Sequence, residues 1–164
     1  LGLAPGQVRA AQRLDNGPVW HGLLLDAPET VLVLQPDHAR LAALGTKVGV
    51  AAAYPPADAP PLIARRNREA GAFATAKRKT EAGADLEVRA FAAPMGVNED
   101  PVTGSLNASL AQWLMAEGLM PEGYLASQGV CLGRAGQVQL QRDASGQVWV
   151  GGASVSCIRG QVRF

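Results

Sequence analysis

A helix that is apolar around most of its circumference constrains what this chain can fold into. Residues 105–117 predict a helix that ends at Gly118. Its apolar side chains form two stripes on different faces: Leu106, Leu110, Trp113 and Leu114 on one, and Ala108, Ala111 and Met115 on the other. Because a helix with two apolar faces must be largely surrounded by protein, the rest of the chain has to wrap around it.

Short β-prone segments separated by glycine- and proline-containing turns supply the wrapping. The predicted strands are residues 19–25, 30–34, 47–54, 85–92, 130–132, 137–142, 147–150, 153–158 and 161–164. A short helix is predicted over residues 38–44, with Asp37 as its N-cap and Gly45 after its end. One buried helix among many short strands predicts an α+β fold, in which a curved mixed or antiparallel sheet, roll- or barrel-like, encloses a central helix.

Composition indicates one ordinary globular domain over residues 1–164. The chain is 48% hydrophobic and 18% charged, with a net charge of +1, so its charge balance points to neither nucleic acid nor membrane. The weakest pattern lies at residues 55–84, which read as an insertion that is either an ordered loop with a surface helix over 64–80 or a mobile excursion. A basic run within 62–80 reads as a solvated surface; a weaker alternative is a surface that binds an acidic partner.

Metal, disulfide and membrane chemistry find little support. Cys131 and Cys157 lack CxxC spacing, and His21 and His38 have no ligand-spaced partners. No apolar run approaches a membrane span and no signal peptide is visible, so we expect a cytoplasmic protein. Because the chain opens with Leu1 rather than Met, we expect that it has been cut, processed or excerpted.

The segment that leads into the central helix carries the most chemical information. Residues 95–105 (M-G-V-N-E-D-P-V-T-G-S) run from a strand through a loop to the helix N-terminus, where unpaired N–H groups attract anions. Gly104 lets a ligand approach the backbone, and Thr103 and Ser105 add hydroxyl donors. Asp100 offers a carboxylate for hydrogen bonding or proton transfer.

A plainer interpretation stays open at this point. Asp100, Thr103 and Ser105 could serve only as caps and turn-formers. Glu99 is as compatible with a solvated or ion-paired carboxylate as with a role in the site.

Together with Arg89-Ala90-Phe91 and Pro94 just before it, this segment resembles the signature of the PhzF-like family, which has R-x-F, Pro, Gly and E-D-P-x-T-G-S in this order. Supporting motifs follow in the family's order: D-N-G-P-V-W at 15–20, Q-G at 128–129, G-R-A-G at 133–136 and G-G at 151–152. The resemblance spans residues 16–160. It implies one lobe, the C-terminal one, of a two-lobed protein with the diaminopimelate-epimerase fold.

The resemblance also implies a function. The family's best-known member isomerises a dihydro-hydroxyanthranilate by moving a proton. The reaction takes place in the cleft between the two lobes and needs no metal or organic cofactor. The family's aspartate and serine of the second lobe match Asp100 and Ser105, which we predict to be catalytic. We predict that Glu99, Thr103, Gly104 and Ser105 bind substrate. The acid/base glutamate belongs to the N-terminal lobe, which is absent from this chain, so the chain alone is predicted to be inactive.

We therefore expect the C-terminal lobe of a cofactor-independent isomerase or epimerase that acts on a small anionic, carboxylated metabolite. Its expected partners are the missing N-terminal lobe and a second copy, as a homodimer. The alternative is a non-catalytic module that binds a small anion or only maintains the fold.

Overall fold

The structure is a computed structural model that describes residues 1–55 and 83–163. Its strands are β1 (Val8–Asp15), β2 (Val19–Leu25), β3 (Val48–Ala53), β4 (Leu86–Ala92), β5 (Val97–Asp100), β6 (Gly123–Gln128), β7 (Gly136–Arg142) and β8 (Val148–Gly151). Its α-helices are α1 (Pro28–Val33), α2 (His38–Ala43) and α3 (Gly104–Ala116), with 3₁₀ turns at Ala93–Met95 and Val130–Leu132.

All eight strands join one mixed sheet in the order β1-β2-β3-β4-β6-β7-β8, and β5 pairs beside β4. Most neighbours are antiparallel, whereas β2 with β3 and β4 with β6 are parallel. The parallel pairs need crossovers, which α1 and α2 provide after β2, and β5 and α3 provide after β4.

The sheet buries side chains on both of its faces. Its inner face packs around α3, where Leu106, Leu110 and Leu114 are fully buried. The outer face packs beneath α1 and α2 in a second cluster that includes Val31 and Phe91. β4, at the centre, is buried at all seven positions and alternates between the two clusters.

The helix lies very close to the sheet. A Cβ atom added to Gly49 on β3 would collide with the side chain of Leu106. The missing side chain at position 49 thus leaves the space that the fully buried Leu106 side chain of α3 fills.

The predicted fold class is confirmed: a curled, mixed half-barrel with few helices encloses one buried helix. The predicted helix 105–117 is α3, shifted by one residue, and helix 38–44 is α2, with Asp37 Oδ1 accepting from the Arg40 amide at its N-terminus. Five predicted strands are observed, namely 19–25, 47–54, 85–92, 137–142 and 147–150.

Other element predictions were wrong. Residues 30–33 belong to α1 and Leu34 is its C-cap, because Pro28 favours the first helical turn and the Thr30 hydroxyl donates to Asp26 there. Residues 130–132 form a 3₁₀ turn between two left-handed glycines, Gly129 and Gly133.

The remaining differences concern the last residues of the chain and three further strands. No strand forms at 153–158 or 161–163; residues 152–163 are exposed and have no regular secondary structure. Strands β1, β5 and β6 were not predicted. The interpretations of residues 62–80 and most of the segment 55–84 lie outside the described residues.

Candidate active site

The loop between β5 and α3 forms an opening at the N-terminal end of the buried helix, here called the α3 mouth (residues 100–105). Asp100 and Ser105 are partly buried, and Gly104 is exposed. A Cβ added at Gly104 would meet no atom within 4 Å. Three of the predicted site residues, Asp100, Gly104 and Ser105, are therefore brought together at a position that a small molecule can reach.

The helix begins without a side-chain cap. Thr103 is the N-cap residue, yet its side chain makes no capping hydrogen bond. Instead the Thr103 hydroxyl donates to Asp100 Oδ2 across 2.6 Å. Among the described residues, no acceptor lies on the amides of Gly104 and Ser105. The α3 mouth thus presents free N–H groups and the positive end of the helix dipole to a ligand.

Gln128, at the end of β6, holds the loop in this shape from beneath. Its side chain is fully buried, and its Nε2 donates to the Asp100 carbonyl (2.8 Å) and to Thr103 Oγ1 (3.0 Å). Its Oε1 accepts from the Thr103 amide (3.0 Å) and from Asn107 Nδ2 (2.7 Å). Four hydrogen bonds to one amide fix Asp100 and Thr103 relative to the helix.

These bonds change the expected role of Thr103. A hydroxyl has one proton to donate, and that of Thr103 goes to Asp100 while its amide goes to Gln128. In this arrangement Thr103 positions its neighbours and has no donor left for a ligand. Among the described residues, the other oxygen of Asp100, Oδ1, accepts no hydrogen bond.

Ser105 retains a free donor. Its Oγ accepts the indole N–H of Trp20 at 3.3 Å, and its carbonyl accepts from Asn16 Nδ2 and Ser109 Oγ. Because the hydroxyl oxygen is already accepting, its own proton is left to donate to a ligand. Trp20 thereby orients Ser105 from the adjacent strand β2.

A lysine completes the surroundings of this serine. The ammonium of Lys47, just before β3, lies 4.9 Å from the centroid of the Trp20 ring, within the range of a cation–π contact. Sequence reasoning missed Trp20, Lys47, Gln128 and Asn107. Trp20 and Gln128 lie within quoted motifs, but no local pattern showed that their side chains meet the loop at 100–105.

Glu99 points away from this opening into a buried ion pair. Both of its oxygens accept from Arg89, at 3.0 and 2.8 Å, and the two side chains are only 6–7% exposed. Arg89 also donates to the carbonyls of Val31 and Leu34. Glu99 therefore joins β5 to β4 and α1, which matches the ion-pair alternative.

A second polar group lies on the outer face of the sheet. Glu87 is fully buried and accepts a hydrogen bond from the Tyr54 hydroxyl at 2.9 Å. Burial raises the pKa of Glu87 despite this bond, and burial followed by the Glu87 contact raises the pKa of Tyr54. Since α3 and the outer cluster lie on opposite faces of the sheet, we assign Glu87 to packing on the outer face.

No group of three or more potential metal ligands occurs within residues 1–55 and 83–163. Within those same ranges, no helix is long and apolar enough to cross a membrane. Cys131 and Cys157 are both exposed free thiols.

Fold and site together define a half-barrel with an open, uncapped helix N-terminus beside a carboxylate. The chain belongs to the family of phenazine biosynthesis-like proteins (PhzC-PhzF), which it matches over residues 11–160. It is 34% identical over 130 residues to an uncharacterized isomerase of Deinococcus radiodurans. That match covers 74% of this chain and 35% of the relative, so the chain spans about a third of the relative's length.

Two solved structures share the fold. One is a PhzF-family phenazine biosynthesis protein of Enterococcus faecalis, with a TM-score of 0.56 and 19% identity over 93% of this chain and 51% of the other. The second is a PhzF-family phenazine biosynthesis protein of Bacillus anthracis, with a TM-score of 0.53 and 14% identity over 82% and 41% of the two chains.

Proposed function

We propose that this chain is the substrate-anchoring lobe of a cofactor-independent isomerase that moves a proton on a small carboxylated metabolite. One observation carries the proposal: an uncapped helix N-terminus and an oriented serine hydroxyl open to solvent beside Asp100. The family, and a relative that is named an isomerase, support the reaction class. The substrate class and the roles of residues rest on the site alone.

The proposed division of labour follows from the hydrogen bonds. The amides of Gly104 and Ser105 and the Ser105 hydroxyl hold the carboxylate of the metabolite. The free oxygen of Asp100 faces the substrate as a hydrogen-bond acceptor or proton relay. Because proton transfer needs groups within about 2.6–3.2 Å of the proton on defined sides of the substrate, the acid/base partner comes from another lobe. An epimerisation would use the same arrangement.

The first lobe of the parent protein is the proposed partner, and we also propose that the whole protein forms a homodimer. The apolar side chains of Val155, Ile158 and Val162 are 75–91% exposed, an exposure that favours an interface.

Deuterium incorporation from D₂O tests the proposal. The parent protein with its first lobe is incubated with a panel of unsaturated cyclic carboxylates and amino acids, and exchange at carbon is followed by NMR. We expect exchange by the parent, a loss of at least 100-fold in Asp100→Asn and Ser105→Ala, and none by the 164-residue chain alone. Substantial exchange by the lone chain would contradict the two-lobe mechanism.

A non-catalytic anion-binding module is the second candidate. The observation in its favour is that, among the described residues, the Asp100 carboxylate is hydrogen-bonded to Thr103 and to no other acid or base. Binding of carboxylates by the parent protein without any exchange, together with an upstream sequence that lacks a glutamate-bearing lobe, would select this candidate.

A further inference from the structure

We propose that Lys47 is the specificity-determining cation of the α3 mouth, and that it makes the site receptive to a single carboxylate despite the charge of Asp100. This inference rests on the proposed function, because it assumes that the α3 mouth binds the metabolite's anionic group. It adds a residue that neither the sequence motifs nor the family match points to.

The placement of Lys47 depends on a chain of two contacts. Its ammonium lies over the Trp20 ring, and the edge of the same ring donates its N–H to Ser105 Oγ. Trp20 is 3% exposed, so the ring is a fixed spacer between the ammonium and the serine. Strand pairing holds the spacer in register, since His21 pairs with Val48 and the His21 amide donates to the Lys47 carbonyl.

Charge balance explains why a cation is needed. A helix N-terminus provides roughly half a positive charge, whereas the Asp100 carboxylate beside it carries a full negative one. Without a further cation these two would leave the opening repulsive to an anion. Arg89 cannot supply the charge, because both of its donor edges are committed to Glu99 and to backbone carbonyls.

Lys47 can supply it. Among the described residues it makes no salt bridge, and its side chain is only partly buried. Counting the helix end, Asp100 and Lys47, the charge at the opening becomes weakly positive, and one bound carboxylate already reverses its sign, so a second carboxylate on the ligand adds little to the affinity.

Arg134 is the other cation to consider. Its Cβ and the Pro101 carbonyl both crowd the position where a Cβ of Gly129 would lie, so its backbone borders the same loop. No contact links its side chain to Ser105, whereas Lys47 reaches Ser105 through Trp20. The two cations can therefore be separated by matched variants.

The experiment titrates sodium acetate, and separately sodium malonate, into the ¹⁵N-labelled chain at constant ionic strength and follows the Gly104 and Ser105 amides by NMR. We expect acetate to shift both amides, and Lys47→Gln to weaken acetate about three- to tenfold, as loss of one charge at this range predicts. Arg9→Gln is the control, since it removes the same charge at the far end of β1, roughly 20 Å along the strand from the Asn16 turn.

Charge compensation supplies a second arm. Lys47→Gln combined with Asp100→Asn should return acetate affinity to within about twofold of the starting value, because both opposing charges are gone. Malonate should gain no more than about twofold over acetate in the unmodified chain.

The outcomes separate the two proposals. If acetate shifts Gly104 and Ser105 but Lys47→Gln changes nothing, or if Arg134→Gln alone weakens binding, the role of Lys47 is overturned and the α3 mouth stands. If neither anion shifts these amides in the unmodified chain, the anion site itself is overturned. A strong preference for malonate would overturn the single-carboxylate specificity.

Discussion

The indole N–H of Trp20 donates to Ser105 Oγ across 3.3 Å, and this bond ties strand β2 to the first turn of α3. It leaves the serine proton free to donate to a ligand, and it links the site to a strand that the D-P-V-T-G-S motif does not include. The following predictions test this relationship and the supports around it.

Replacing Trp20 with Phe keeps an aromatic face for Lys47 but removes the N–H donor. We expect the variant to fold with a loss of about 1 kcal/mol in the free energy of unfolding, as for one hydrogen bond. Acetate binding should weaken severalfold, because the Ser105 hydroxyl is no longer oriented. Urea unfolding and the NMR titration measure the two effects.

Trp149→Phe is the matched control for that variant. It removes an equivalent indole N–H donor, to Asp143 Oδ2, in an exposed hairpin. Acetate binding should be unchanged. Equal weakening by both variants would contradict the orienting role of Trp20.

Gly104→Ala should block the α3 mouth while leaving the lobe stable. The backbone at Gly104 is not left-handed, and an added Cβ meets no atom within 4 Å. We expect a change in the free energy of unfolding within about 0.5 kcal/mol, and weaker acetate shifts at the Ser105 amide, because the methyl group occupies the approach to the amides.

A second glycine provides the contrast. Gly118, just after α3, has a φ of +66°, a left-handed conformation that costs a side chain roughly 1 kcal/mol. Gly118→Ala should therefore destabilise the lobe and leave acetate binding intact. Weaker acetate binding in Gly118→Ala, together with unchanged binding in Gly104→Ala, would contradict the role of Gly104 in the site.

The ion pair of Arg89 and Glu99 should dominate the stability of the β4–β5 corner. Glu99→Gln leaves a buried guanidinium without its counter-charge, and we expect a loss of about 3–5 kcal/mol in the free energy of unfolding. Glu122→Gln breaks the more exposed pair with Arg142, at 3.4 Å, and should cost no more than about 1 kcal/mol. Similar small losses in both would show that Arg89 is solvated when Glu99 is neutral.

Glu87 should make the free energy of unfolding of this chain depend on pH. Burial raises its folded-state pKa above the ordinary value of 4.5, so the folded protein holds this proton more tightly than the unfolded chain does. Stability from this group is therefore greatest below pH 4.5 and falls as the pH rises through the folded pKa. Glu87→Gln, which mimics the protonated acid, removes that fall.

Urea unfolding at pH 4.5 and pH 7 measures the effect. The free energy of unfolding of Glu87→Gln, compared with that of the unmodified chain, should be more favourable to the variant at pH 7 than at pH 4.5. A difference that stays constant, or shrinks as the pH rises, would contradict the assignment.

The sequence predicts the parts of this fold that depend on local periodicity. The α3 stripes, the Asp37 cap and the strongly apolar strands 47–54 and 85–92 all carry their own pattern, and the structure confirms them. Strand β1 carries no such pattern, because it is an exposed edge strand that buries only Leu14. It owes its conformation to pairing with β2, not to alternation.

The candidate site divides in the same way. Asp100, Gly104 and Ser105 follow from one contiguous motif and the physics of a helix N-terminus. Gln128, Trp20 and Lys47 reach it from β6, β2 and the start of β3, over separations that only the sheet order creates. Side chains that act across strands in this way leave no local spacing to read.

Because the Thr103 hydroxyl donates to Asp100, α3 lacks the stabilisation of roughly 1 kcal/mol that an N-cap side chain usually contributes. An anion seated there would satisfy the vacant amides in its place and would bind only the native state. The free energy of unfolding should then increase with acetate concentration by RT ln(1 + [L]/Kd), and the melting temperature should rise with it. Thermal unfolding can therefore measure anion binding before any substrate is known.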